Sequence, residues 1–130
     1  MSATYRVSAK ALIFNNHGEV LLVKEHYNDW NLPGGGIDYG ESPRQAVERE
    51  LQEEINLSLS ISSEPIKTVN FYHEVLDRWV MWVVFKVNIE EADNICPGAD
   101  VRDVRFASAE ELGDGCEERI VADLLMSGST

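Results

Sequence analysis

The chain has 130 residues, 44% hydrophobic and 26% charged, enough to bury one core but hardly two, so one domain spanning 1–130 is expected. Its 23 acidic residues against 11 basic ones leave a formal charge of -12, which argues against binding a nucleic-acid polymer and requires bridging cations for any anionic substrate. The longest apolar run, Trp79 to Phe85, is far short of the roughly 18 residues of a membrane span, and Met1-Ser2-Ala3-Thr4 opens no secretory leader, so no membrane partner and a cytoplasmic location are expected.

Val7 to Phe14 and Val20 to Lys24 read as strands joined through Asn15-Asn16-His17-Gly18, whose Asn and Gly tolerate positive φ. A polar and aromatic loop, Glu25 to Trp30, leads through an extended Asn31-Leu32-Pro33 into Gly34-Gly35-Gly36. Ser42, Pro43 and Gln45 form a helix start: the hydroxyl caps the first turn, proline needs no amide partner there and Gln45 reaches back. The helix should run to Ile55 and stop at Asn56 in a left-handed conformation. Ile66 to Val75 and Arg78 to Ile89 read as long strands turning at Leu76-Asp77, and both faces of Trp79 to Phe85 are apolar, as in a central strand. Ala92 to Asp100 reads as a loop, Val101 to Phe106 as a strand, Ser108-x-x-Glu111 as a capping box on a short helix, and Glu118 to Met126 as a last amphipathic helix. The tail, Ser127 to Thr130, should fray. A mixed sheet between helices, an α/β (α+β) architecture, follows.

At about 100° per residue, Val47, Leu51 and Ile55 make one apolar stripe on the first helix, while Glu50, Glu53 and Glu54 share the adjoining sector. Like charges three and four residues apart repel, and a divalent cation resolves that repulsion. Oxygen-only ligands select hard ions, so Mg²⁺ is the expected cofactor, with Mn²⁺ able to replace it.

Read with its neighbours, the same segment is Gly35-x5-Glu41-x7-Arg49-Glu50-Leu51-x-Glu53-Glu54-x-Asn56-Leu57, which closely resembles the signature of the Nudix hydrolases, with Asn56 in place of that family's glycine. The resemblance implies an α/β/α sandwich and metal-dependent hydrolysis of a pyrophosphate linkage. It implies that Glu50, Glu53 and Glu54 bind metal together with the backbone carbonyl of Gly35, that Glu41 is a secondary ligand or fixes the loop, and that Arg49 orients a box glutamate. Catalysis is thus expected from Arg49, Glu50, Glu53 and Glu54, with Glu53 the preferred base. No P-loop, nucleophile elbow or zinc helix competes with this reading.

Substrate choice lies outside the motif. Tyr27, Trp30 and Tyr72 are candidates to stack on a base, although aromatic residues in such places also serve as packing. A position some sixteen residues past the motif sorts Nudix subgroups by proline or tyrosine; here it holds His73, with Tyr72 beside it. The compact size is more like the MutT-type nucleoside triphosphate hydrolases. ADP-ribose, a nucleotide sugar or a dinucleoside polyphosphate is the alternative substrate, and a nucleotide-sensing domain without turnover is the alternative of another class. A homodimer is compatible with the family. His17, His26 and His73 read as structural or exposed, and Cys96 and Cys116 as reduced thiols without metal-ligand spacing.

Overall fold

A computed structural model of the chain describes residues 3–25, 29–90 and 94–126. Strand β1 (Arg6–Phe14) turns through residues 15–19 into β2 (Val20–Lys24), followed by the short strands β3 (Trp30–Asn31) and β4 (Gly34–Gly36). Helix α1 (Pro43–Ile55) precedes β5 (Lys67–His73), β6 (Arg78–Asn88) and β7 (Asp103–Ala107); a single 3₁₀ turn (Ala109–Glu111) and helix α2 (Cys116–Met126) complete the order. The strands form one mixed sheet in the order β3-β2-β1-β6-β5, with β4 on β1 and β7 on β2. β1 runs parallel to β6 over its whole length, while the other pairings are antiparallel.

Alternation along β1 and β6 builds the two cores. Ala9, Ala11, Ile13 and Phe85 face Val47, Leu51 and Ile55 of α1. Leu12, Phe14, Val80, Trp82 and Val84 face Val121 and Leu124 of α2. The sheet therefore lies between helices, as the periodicity required. The start of α1 also follows its sequence: Ser42 accepts from the Gln45 amide while the Gln45 side chain accepts from the Ser42 amide, with Pro43 in the first turn.

Several boundaries differ from expectation. Gly34–Gly36, to which the sequence reading gave no strand, is one, because β1 extends beyond β2 and its free edge takes up the glycine backbone. β5 ends at His73 because the turn takes four residues, 74–77, closed by Asp77 at φ 52. Trp79 is 49% exposed, whereas Val80, Trp82, Val84 and Phe85 are buried; the β6 side chains packed toward α1 are Val83, Phe85 and Val87, so the strand is buried on both sides only in its later part. β7 starts two residues after Val101, the short helix is one 3₁₀ turn, and α2 begins at Cys116, two residues before Glu118. The expected fraying of Ser127 to Thr130, together with His26, Tyr27 and Asn28 of the first loop and Ala92 and Asp93 of the second, lies outside the described residues. Among the described residues, no helix is long and apolar enough to cross a membrane.

Candidate active site

Pairing of Ser8 with Gly36, Ala9 with Gly35 and Lys10 with Gly34 lays the glycine strand along β1, beneath α1. A side chain would not fit there. A Cβ on Gly34, whose φ is +130°, would stand 2.1 Å from the Ala9 carbonyl oxygen, and one on Gly35 would stand 2.8 Å from the Glu50 carboxylate. With no side chains in this strand, carboxylates from α1 on one side and the sheet face on the other open into one cleft of about 570 Å³.

At its acidic end the cleft is lined by Glu50, Glu53 and Glu54 with Gly34, Gly35 and Gly36. Glu54 is buried, its Oε1 accepting from the Gly34 amide at 2.7 Å. Burial pushes its carboxyl up to about 9; the Lys10 charge opposes this, and a hydrogen bond with Glu25 adds to it. Glu50 is raised as well, by burial against the countering pull of Arg49. Glu53 is the open member of the set, its side chain 58% exposed. Lys10 stands behind the acids, nearly inaccessible, its Nζ donating to the carbonyls of Leu32 (3.2 Å) and Gly34 (3.4 Å).

Arg49 ties these groups together. Its Nε and Nη2 hold the Glu41 carboxylate at 2.8 and 3.0 Å, Nη1 donates to Glu50 at 3.0 Å and Glu53 at 3.3 Å, and Nη2 also reaches the Gly36 carbonyl at 3.2 Å. The guanidinium holds Glu41 down to about 2, and the carboxylates in turn raise Arg49. Glu41 also accepts from the Asp38 amide at 3.0 Å, so it fastens the loop before α1; it does not line the cleft.

The structure brings Gly35, Arg49, Glu50, Glu53 and Glu54 together and separates the aromatic candidates from them. Trp30 is half-buried against the α2-side core, with Lys24 and Arg105 over its ring. Tyr72 points to the opposite sheet face from its neighbour His73, packs edge-on against Trp79 at 6.0 Å and donates to Asp77. Neither lines the cleft, and Tyr27 lies outside the described residues. The cleft instead includes residues that carried no motif: Glu25, Asp100, Lys10, Arg6, Arg78, His73 and Glu117. Asp100 is brought in by segment 94–100, which is fastened to the end of α1 through the Cys96 amide on the Ile55 carbonyl and the Gly98 amide on the Glu54 carbonyl. Strand alternation places Arg6, Lys10 and Arg78 on one face once the register is known; the sequence offered no signal for Glu25 or Glu117.

His73, Cys116 and Glu117 bring donor atoms within 4.8 Å of one another, and His73 and Glu117 line the other end of the cleft. His73 Nε2 lies 2.8 Å from Glu117 Oε2, and Nδ1 accepts from the Leu76 amide at 3.2 Å. With Nδ1 accepting, the proton of the neutral ring sits on Nε2 and is donated to Glu117. A metal on Nε2 would need the proton on Nδ1, so the group is wired as a hydrogen bond rather than as a metal centre.

Comparison with known proteins gives the family and the fold. RNA pyrophosphohydrolase of Vibrio cholerae is 49% identical over 55 residues, covering 42% of this chain and 32% of the relative, so the chain spans about a third of that protein's length. The crystal structure of a MutT protein from Methanosarcina mazei superposes with a TM-score of 0.80 at 25% identity, covering 98% of this chain and 94% of that one. The NUDIX domain of Shewanella oneidensis NrtR, solved with ADP ribose, gives 0.76 at 22% identity over 99% and 91% of the two chains. The NUDIX domain model matches residues 4–124, nearly the whole length, and on that match the chain belongs to the NUDIX family.

Proposed function

We propose that the chain, a Nudix pyrophosphohydrolase, uses water to cleave a pyrophosphate linkage of a nucleoside 5′-triphosphate, with Glu50, Glu53 and Glu54 holding the divalent metal. The observation that carries this reading is the convergence of these glutamates with the glycine strand in one cleft, cross-braced by Arg49. The donor set fits a hard ion: every candidate ligand is an oxygen, and Glu50 and Glu54 are disfavoured as bare anions by their burial. Mg²⁺ is the first choice and Mn²⁺ its substitute. Such an ion, when bound, neutralises phosphate charge and makes a water molecule more acidic.

The chain's own groups do the positioning. Arg49 holds Glu50 and Glu53 in place, and the Gly34 amide and the Lys10 charge favour the anionic form of Glu54. The Gly35 backbone, open because no Cβ intervenes, supplies a carbonyl ligand. Glu53, the most exposed of the three, is assigned removal of the water proton as oxygen attacks phosphorus; the anhydride P–O bond breaks, giving a nucleotide and phosphate or pyrophosphate.

The Vibrio relative's name supports a second substrate, an RNA carrying a 5′ polyphosphate. That end offers the same anhydride, and with a charge of -12 the chain would grip the terminal nucleotide rather than the strand behind it. The test is phosphate or pyrophosphate release from nucleoside triphosphates, 5′-triphosphorylated RNA, ADP-ribose, a nucleotide sugar and a dinucleoside polyphosphate, with and without Mg²⁺, against Glu54→Gln. Turnover that needs both metal and Glu54 is expected, and the best substrate decides between the two readings. Nucleotide binding without release from any of them would replace the enzyme by a sensing domain.

A further inference from the structure

At the end of the cleft away from the α1 glutamates, β5 and β6 pair His73 with Arg78, which places both side chains on the sheet face that α2 covers. Glu117, in the first turn of α2, descends onto His73 from that helix. Its carboxylate is only half engaged. Oε2 takes the His73 proton, while Oε1 is buried and has no hydrogen-bond partner among the described residues. A buried carboxylate oxygen without a donor is costly, and His73 cannot supply a second one, because its other nitrogen already accepts from Leu76. Arg78 is exposed, and its guanidinium forms no hydrogen bond or ion pair among the described residues, so its donors are open to an acceptor in the cleft. Val80 and Trp82, next along the same face of β6, add apolar surface to the cleft beside these groups.

A buried acceptor that lacks a donor and a solvent-facing cation with no protein partner thus flank His73 in one cleft. We propose that this wall reads the base of the substrate and selects guanine: Glu117, held by His73, accepts from the base N1–H and N2–H groups, and Arg78 donates to its O6 and N7 edge. The inference rests on the reading of the cleft as a nucleotide site and adds which nucleotide it takes. Guanine alone among the common bases puts two adjacent N–H donors beside a carbonyl acceptor. Adenine and cytosine turn a ring-nitrogen acceptor toward the carboxylate, and uracil flanks its single N–H with two carbonyls; each sets acceptor against acceptor. His73 is a positioning residue here, fixing the carboxylate that makes the contact.

Binding of nucleoside monophosphates tests this apart from hydrolysis, since they have no anhydride to cleave. Titrating the full chain with GMP, IMP, AMP and UMP should show GMP binding at least about tenfold tighter than AMP and UMP, with IMP, which lacks the N2 amine, between them. Glu117→Gln should bring all four to within about threefold, and Arg78→Gln should narrow the gap between GMP and AMP. Wild-type protein that binds all four to within about threefold overturns the proposal. So does a Glu117→Gln variant that weakens all four equally. The wild-type series decides alone if the Glu117 variant fails to fold. A guanine preference in a chain that hydrolyses nothing supports this inference and removes the enzyme reading; hydrolysis with no preference among bases does the reverse.

Discussion

Arg49 makes two hydrogen bonds to Glu41, one to Glu50 and two longer ones to Glu53, each aimed by the planar fork of a single guanidinium. Lysine has the charge without the fork, so Arg49→Lys should not restore what Arg49→Ala loses. Both variants should lower kcat on the best substrate by about a hundredfold, the scale of a displaced reacting group. The Glu41 carboxyl, held down to about 2 by this arginine, should titrate close to the ordinary carboxylate range in the alanine variant, which carbon-detected NMR would follow. Wild-type turnover in the lysine variant would show that charge alone suffices. The pairing of Arg49 with a motif glutamate was expected from the family resemblance alone, and the partners it meets, Glu50 and Glu53, lie within one helical turn of it. Glu117 was not legible in the sequence: its partner His73 is 44 residues away and meets it only because α2 packs across β5.

Helix α1 is delivered to the site by its ends. The Ser42 box sets its start, and Asn56 stops it at φ 57, with its amide on the Leu51 carbonyl and its side chain donating to the Cys96 carbonyl at 3.1 Å. That side chain ties α1 to the segment that carries Asp100. Alanine at position 56 keeps the strained conformation and loses the tie, so Asn56→Ala should cost about 1–2 kcal/mol and lower the melting temperature by several degrees. Asn56→Gly should recover the backbone part of that loss and leave the Cys96 contact missing. An alanine variant melting with the wild type would mean that the left-handed cap carries no strain. Both helix ends were readable because caps are local chemistry. The edges of β5 and β7 were less so: residues such as Ile66, Val75 and Val101 have strand propensity, and turn length and pairing partner decide where the ladder ends.

Across the whole molecule, the parallel pairing of β1 with β6 joins residues 6–14 to 80–88, and no local pattern encodes that long crossover. The layering was deducible from two apolar strand faces and two amphipathic helices; the sheet order, and with it the makeup of the cleft, was not. What the fold assembles there can be read in its stability. Glu54 has a folded pKa of about 9 against an ordinary 4.5, so between these values the folded protein binds more protons than the unfolded chain, and metal-free stability falls as pH rises through that window. Glu41 acts in the opposite sense: held down to about 2, it contributes stability above 4.5 that is lost as pH falls toward 2. A metal that takes Glu54 as an anion binds only the folded, deprotonated form, so its stabilising effect must grow as that form becomes easier to reach. The rise in melting temperature produced by saturating Mg²⁺ should therefore increase between about pH 5.5 and 8.5, and proton release on Mg²⁺ binding should appear in calorimetry as a dependence of the heat on buffer ionisation enthalpy. Glu54→Gln, which has no proton to release, should flatten the pH dependence of metal-free stability and lose most of the Mg²⁺ effect. A Mg²⁺ shift that is independent of pH in the wild type and persists in the glutamine variant would place the ion on other carboxylates and leave Glu54 a structural acid beneath the glycine strand.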